Sequence, residues 1–400
     1  MGLTSAVLLW LLGAAVLAAV GGAALVWPRL ARQRIGQVAA RFGLIAAIQL
    51  LVLATALAAL NDSLRFFSSW RALLGTTPRD QVVTAAAGAA RIRALGMPVV
   101  VTGSSVGTMF RPGSVWPQLT ALARSGPSAS EVDTPRSVLR AAMQRGVVLR
   151  VTIRGEYTGI VSAGDYVYLP PQYFRPGRAR IRFPVVVAFG GYPNDPLNLM
   201  SLLRLPAIAS RLRSARKIAP AVYVMLNPSV ALPRDTECTN IPAGLQVATF
   251  FGRDVPLAIG RTFRVRTGAA NWGAIGYSTG AYCAVKMAML YPAQFGAAVG
   301  LSGFYFAARD QATGNLYGGS VAYRHENNLF WRLAHLPAPP VSVLIASSAS
   351  GEPSLAGSLA FLRDVRAPMR GYSLILRHGG HNYSTWRREL PQSLVWLSRR

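Results

Sequence analysis

The stretch Gly276-Tyr277-Ser278-Thr279-Gly280 has the form G-x-S-x-G. A serine hydroxyl is a weak nucleophile. It does covalent chemistry only where a base takes its proton and fixed donors meet the negative charge that develops. The five residues alone fit a small-residue turn before a helix equally well. A nucleophile needs a base, an acid and an anion-stabilising loop elsewhere in the chain. Of the four histidines, His381 lies in "GGHNYSTW", between the apolar run "GYSLILRH" and the helical stretch "STWRRELPQSLVWLSRR". His378, at the strand end, is second choice, and His325 and His335 read as surface or structural. The first acid after the preceding apolar run, "VSVLIASSASGEPS", is Glu352. Its task would be to hold the imidazole in one tautomer and stabilise its positive charge. Glu352 also reads as a solvated loop carboxylate, and Asp364, on a helix further along, is the runner-up. "FPVVVAF" runs into Gly190-Gly191-Tyr192. Glycines there let the backbone approach a substrate closely, so the N–H of Gly191, with Tyr192 next, is the expected partner of the Thr279 N–H in an oxyanion hole. An ordinary strand-to-loop turn is the other reading. Tyr192 and Tyr277 flank these groups and are expected to contact substrate.

The elements that must position these residues begin near Val147. "VVLRVTIRG" alternates and "GDYVYLPPQY" is a second β-rich run. Val185 to Phe189, "AVYVMLNP", "NWGAIGYS", "GAAVGLSG" and "VSVLIASS" are short continuous apolar runs, as expected of strands buried on both faces. Helix-like stretches, Ala281 to Leu290 and Ser358 to Val365 among them, lie between. Strands alternating with helices predict an α/β fold with a mostly parallel sheet. "WGAI" before Ser278 and "AYCAVKMAML" after it supply the strand-turn-helix context that a nucleophile elbow requires.

The N-terminal part is different. Leu3 to Val26 carries no charge, and Phe42 to Leu60 has one polar interruption, Gln49. Each is of a length to cross a bilayer, giving two expected transmembrane helices at about 3–27 and 42–60 within residues 1–62. A signal anchor, or a buried helical hairpin, is the alternative. Arg29, Arg32, Arg34 and Arg41 lie between them with no acid, which places that loop in the cytoplasm and everything after residue 62 outside. Residues 63–146 read as a linker or juxtamembrane region. They include an interfacial "FFSSWRALLG", a short helix in "VVTAAAGAARIRALG", a short strand in "MPVVVTG" and the linker "RSGPSASEVDTPRS". Residues 147–400 form the third part.

The chain has 400 residues, 52% of them hydrophobic, and a net charge of +27 from 42 Lys+Arg against 15 Asp+Glu. Its mean hydropathy, +0.31, fits partial membrane embedding. The basic residues are dispersed and only Lys217 and Lys286 are lysines. No zinc-finger spacing or basic-region helix appears, so the charge suits an anionic membrane surface or cell envelope better than nucleic acid. Cys238 and Cys283 have no metal-ligand spacing. They read as two buried thiols, or as one disulfide if this part lies outside the cytoplasm. No metal or organic cofactor is implied.

"DYVYLPPQY", "FPVVVAFGGY", "GYSTGAYCAVKMAMLYPAQFGAAVGLSG" and "GGHNYSTWRRELPQSLVWL" together resemble the esterase family of α/β-hydrolases that includes the esterase D type enzymes and bacterial mycolyltransferases, and within it the membrane-anchored subset. The resemblance covers about Val147 to Arg400. It implies an α/β-hydrolase fold, Ser278 as nucleophile, His381 as base, an acid in the loop holding Glu352, and Gly191 as oxyanion donor. It also implies a Cys238–Cys283 disulfide. The expected protein is a multi-pass cell-membrane serine esterase-type hydrolase or acyltransferase with its catalytic domain outside the cytoplasm. It would act on an ester, an acyl-donor small molecule or an envelope lipid, with no cofactor. A catalytically silent hydrolase-fold protein acting as an envelope interaction module is the second reading.

Overall fold

The structure is a computed structural model that describes residues 6–30, 35–64, 99–105, 142–175, 180–193 and 195–400. The expected features in "FFSSWRALLG", "VVTAAAGAARIRALG" and "RSGPSASEVDTPRS" lie outside these. The chain divides into two units, Met1–Gln81 and Val82–Arg400. The first contains helices α1 (Ala6–Val26) and α2 (Ile35–Leu64), which pack against each other. Both are long and apolar enough to cross a membrane by length and composition. Helix α2 begins seven residues before Phe42 because Ile35–Arg41 has good helix formers and no Pro.

The second unit is built on a nine-stranded sheet: β1 (Val99–Ser105), β2 (Val147–Arg154), β3 (Val161–Leu169), β4 (Val185–Phe189), β5 (Val222–Leu226), β6 (Trp272–Tyr277), β7 (Ala297–Leu301), β8 (Ser342–Ser348) and β9 (Arg370–Leu376). Their order across the sheet is β1-β2-β3-β5-β4-β6-β7-β8-β9. Only the β2–β3 and β3–β5 pairings are antiparallel. The strand expected at "MPVVVTG" forms as β1, which pairs parallel with β2. The principal helices are α3 (Leu205–Ser214), α4 (Val255–Thr262), α5 (Thr279–Leu290), α6 (Leu355–Asp364) and α7 (Tyr383–Leu397).

Strand alternation divides the core in two. Val185, Val187, Phe189 and Ala274 face one side, where residues of α4, α5 and α6 cover them. Val186, Ala188, Ile275 and Tyr277 face the other, beneath α3 and α7. With both faces covered, strands β4 to β7 are buried throughout, which is why they read as continuous apolar runs. The connection after β4 leads to β5 on one side, and the chain then returns to β6 on the other. The carboxyl ends of β4 and β6 therefore flank a topological switch point, where open α/β sheets place their ligands.

Asp165 on β3 is fully buried, and that burial pushes its carboxyl up to about 7. From about pH 4 to 7 the native state keeps a proton that the unfolded chain releases. Stability on this account falls as pH rises through that window. Asp165→Asn removes the dependence. Its melting temperature is expected to gain on the wild type between pH 5 and pH 8, as read by differential scanning calorimetry; parallel curves would contradict this.

Candidate active site

Ser278 ends β6 and opens α5 at φ 56 and ψ −126, a backbone conformation uncommon outside glycine. Two glycines make this turn possible. A Cβ on Gly276 would lie 2.1 Å from the Gly280 carbonyl oxygen, and one on Gly280 would lie 2.2 Å from the Gly190 oxygen. These contacts press the elbow against the loop after β4. Gly280→Ala is expected to cost about 3 kcal/mol of folding stability, the upper part of the usual range for overpacking, because the obstruction is backbone and no rotamer relieves it. A urea-denaturation midpoint unchanged from wild type would contradict this.

The structure brings three expected residues together. His381 Nε2 lies 3.0 Å from Ser278 Oγ, and His381 Nδ1 lies 3.2 Å from Glu352 Oε1. His381 sits in the loop between β9 and α7, edge-on to Trp386 at 5.2 Å. Asn382 caps α7 by accepting from the Thr385 N–H and so fixes the loop's exit. Gly351 and Gly379 lock the acid and histidine loops together: Gly351 has φ +81, and a Cβ there would come 2.1 Å from the Gly379 oxygen. The Glu352 side chain is 0% exposed and that of His381 33%. Burial pushes the Glu352 carboxyl up, but the hydrogen bonds from His381 and Ser354 outweigh it and hold the group below the usual carboxylate range. Neighbouring Glu389, on α7, is the reverse case. Its burial, reinforced by the Glu352 charge, raises it to about 8. The two carboxyls are thus driven apart, leaving Glu352 as the ionised one at neutral pH.

Gly191 lies against the nucleophile. A Cβ there would be 3.2 Å from the Ser278 Cβ and 3.0 Å from the Tyr277 ring. Thr279, with the other expected donor N–H, is the first residue of α5. The Tyr192 hydroxyl donates to the Pro233 carbonyl. Tyr277 corrects the sequence reading. Its side chain is fully buried, stacked on Trp386 at 4.4 Å, with its hydroxyl 2.7 Å from that of Tyr383. It is packed under α7 and cannot contact substrate.

His378 instead pairs with Ser350 Oγ at 2.8 Å, and His325 and His335 stack on Trp331. Asp364 ends α6. Cys238 and Cys283 form a disulfide, joining the loop after β5 to α5. Sequence reasoning missed Asp235, whose carboxylate accepts from the Thr279 hydroxyl at 3.2 Å, and Ser354, whose hydroxyl donates to Glu352 Oε1 at 3.2 Å.

A doubly covered, mostly parallel sheet with a strand-turn-helix elbow at Ser278 is the α/β-hydrolase fold. Residues 163–351 match the family described as "Putative esterase". No curated protein matches the sequence. Among solved structures, the fold is shared with an S-formylglutathione hydrolase from Agrobacterium tumefaciens at 16% identity and a TM-score of 0.53, over 64% of this chain and 96% of that one. A ferulic acid esterase aligns at 16% identity and TM-score 0.51, over 64% and 98%. The fluorophosphonate-binding serine hydrolase FphF of Staphylococcus aureus aligns at 16% and 0.51, over 63% and 98%.

Proposed function

We propose that this protein is a membrane-anchored serine hydrolase or acyltransferase acting on esters outside the cytoplasm. The observation that carries the reading is the continuous hydrogen-bond chain from Ser278 through His381 to Glu352. In the proposed reaction Ser278 Oγ attacks the ester carbonyl carbon while His381 Nε2 takes its proton. The carbonyl oxygen becomes an oxyanion held by the N–H groups of Gly191 and Thr279. Collapse breaks the ester C–O bond. His381 returns the proton to the leaving alkoxide, which departs as an alcohol, and an acyl-Ser278 remains. Water, or the hydroxyl of an acceptor, then gives its proton to His381 and attacks the acyl carbon, releasing acid or new ester and restoring Ser278.

Helices α1 and α2 are read as two membrane spans, with 1–62 as anchor, 63–146 as connecting region and 147–400 as the catalytic part. Residues 29–41 carry four arginines and no acid, which favours a cytoplasmic loop. The Cys238–Cys283 disulfide suits an oxidising compartment and so supports an outside location for the catalytic part. The substrate class proposed is an ester or acyl donor, an envelope lipid included. The test is labelling of intact cells with a membrane-impermeant fluorophosphonate. The protein is expected to be labelled without permeabilisation. Labelling that appears only after permeabilisation overturns the topology, and none at all overturns the enzyme.

A further inference from the structure

The segment Pro233–Thr239 lies far from Ser278 in sequence and touches both sides of the oxyanion hole proposed above. On one side the Pro233 carbonyl accepts from the Tyr192 hydroxyl, in the loop that carries Gly191. On the other, Asp235 Oδ2 accepts from Thr279 Oγ1 at 3.2 Å. Asp235 is only 4% exposed, and three groups donate to its carboxylate. Oδ1 accepts from Ser229 Oγ at 2.8 Å and from the Glu237 N–H at 3.0 Å, leaving Oδ2 for Thr279. Lying at the amino end of α5, the charge is also favoured by the helix dipole.

The rest of the segment is fastened to the same helix. Thr279, Cys283 and Lys286 are spaced i, i+4 and i+7, so they share one face of α5. Cys283 is bonded to Cys238. The buried Lys286 Nζ donates to the Glu237 carbonyl at 3.2 Å and to Thr239 Oγ1 at 2.7 Å. Between these ties Glu237 and Cys238 both hold positive φ, 44 and 49. Two consecutive non-glycine residues in that region persist only where their surroundings over-determine them, and such strain concentrates at functional sites. Near its start the segment is also held to the loop after β7, by the Asp235 N–H donating to the Ala312 carbonyl at 3.0 Å and by Arg234 Nε donating to the Thr313 carbonyl at 2.9 Å.

We propose that Asp235 is a positioning residue for ester cleavage. Pro233–Thr239 is a strap joining the two halves of the oxyanion hole, and the Asp235–Thr279 hydrogen bond orients the Thr279 peptide toward the oxyanion. The inference rests on the reading of Ser278 as nucleophile and Thr279 as oxyanion donor. It differs from a structural role in what it predicts. A misaligned donor weakens transition-state binding and leaves ground-state binding nearly intact, so the loss falls on kcat and spares KM.

The test is steady-state hydrolysis of a short-chain chromogenic ester by the full-length protein in detergent, with melting temperatures measured alongside. Asp235→Ala and Thr279→Val are each expected to lower kcat about ten- to hundredfold with KM within about threefold. The double variant is expected to be no worse than the poorer single, because both remove one interaction. Thr279→Ser, which restores the hydroxyl, recovers most of the loss seen in Thr279→Val. If Asp235→Ala does not fold, the Val and Ser variants at 279 carry the test alone. Singly substituted, folded proteins with kcat within about twofold of wild type overturn the strap, as does an additive double variant. These outcomes separate from failure of the nucleophile reading, in which Ser278→Ala remains active or the wild type neither cleaves the ester nor is phosphonylated.

Discussion

Replacing Ser278 with alanine is expected to lower kcat for a short-chain ester by about 10⁴-fold or more, roughly 5.5 kcal/mol of transition-state stabilisation. The substitution removes the atom that forms the acyl-enzyme, and a water in its place would not inherit the 3.0 Å hydrogen bond to His381. Stability should barely change. The elbow's positive φ costs alanine about what it costs serine, and the glycines at 276 and 280 that make room for the turn are untouched. A melting temperature within a few degrees of wild type would therefore accompany the loss of rate. That pairing distinguishes removal of a nucleophile from collapse of the elbow, which Gly280→Ala produces. Initial rates measured with a chromogenic ester, together with thermal melts, check both halves.

The second large effect is expected at Glu352. Glu352→Gln should lower kcat about 10³- to 10⁴-fold while leaving KM within about threefold. The carboxylate accepts from His381 Nδ1–H, which leaves Nε2 unprotonated and able to take the Ser278 proton. A glutamine can present its NH₂ to Nδ1 instead. The imidazole then carries its proton on Nε2, facing Ser278, in the tautomer that cannot serve as base. The hydrogen bonds from His381 and Ser354 keep Glu352 ionised to below the usual carboxylate range. The acid therefore stays charged throughout the neutral range and loses its role only as pH falls through that lowered value. Asp364→Asn, at the end of α6, provides the control and should leave kcat within about twofold of wild type. Steady-state kinetics on the three proteins decide between the two acids. A large loss at Asp364 with none at Glu352 would reverse the assignment.

The parts of this site that are legible in the sequence are those encoded locally or by chain order. Ser278 announces itself because its turn needs glycine at 276 and 280 within five residues. His381 and Glu352 stand out because each is in a loop that follows an apolar run long enough to be a buried strand. Strands β4 to β8 are readable for the same reason, being covered on both faces. What was not legible depends on contacts across the fold. Asp235 precedes Thr279 by 44 positions, and nothing in "RDTECTNIP" marks its carboxylate as the one that meets the elbow. Tyr277 was misread for a different reason. Adjacency to the nucleophile suggested substrate contact, yet strand alternation puts it with Ile275 on the face beneath α7, two residues apart on one side of β6. Period two, applied to "AIGY", contains that answer.

Whether Ser278 is the covalent nucleophile is decided by mapping a fluorophosphonate adduct on the folded protein by peptide mass spectrometry. One stoichiometric adduct is expected on Ser278, absent from Ser278→Ala and formed far more slowly in Glu352→Gln. An adduct on another residue, or equal labelling of the wild type and Ser278→Ala, would contradict that role.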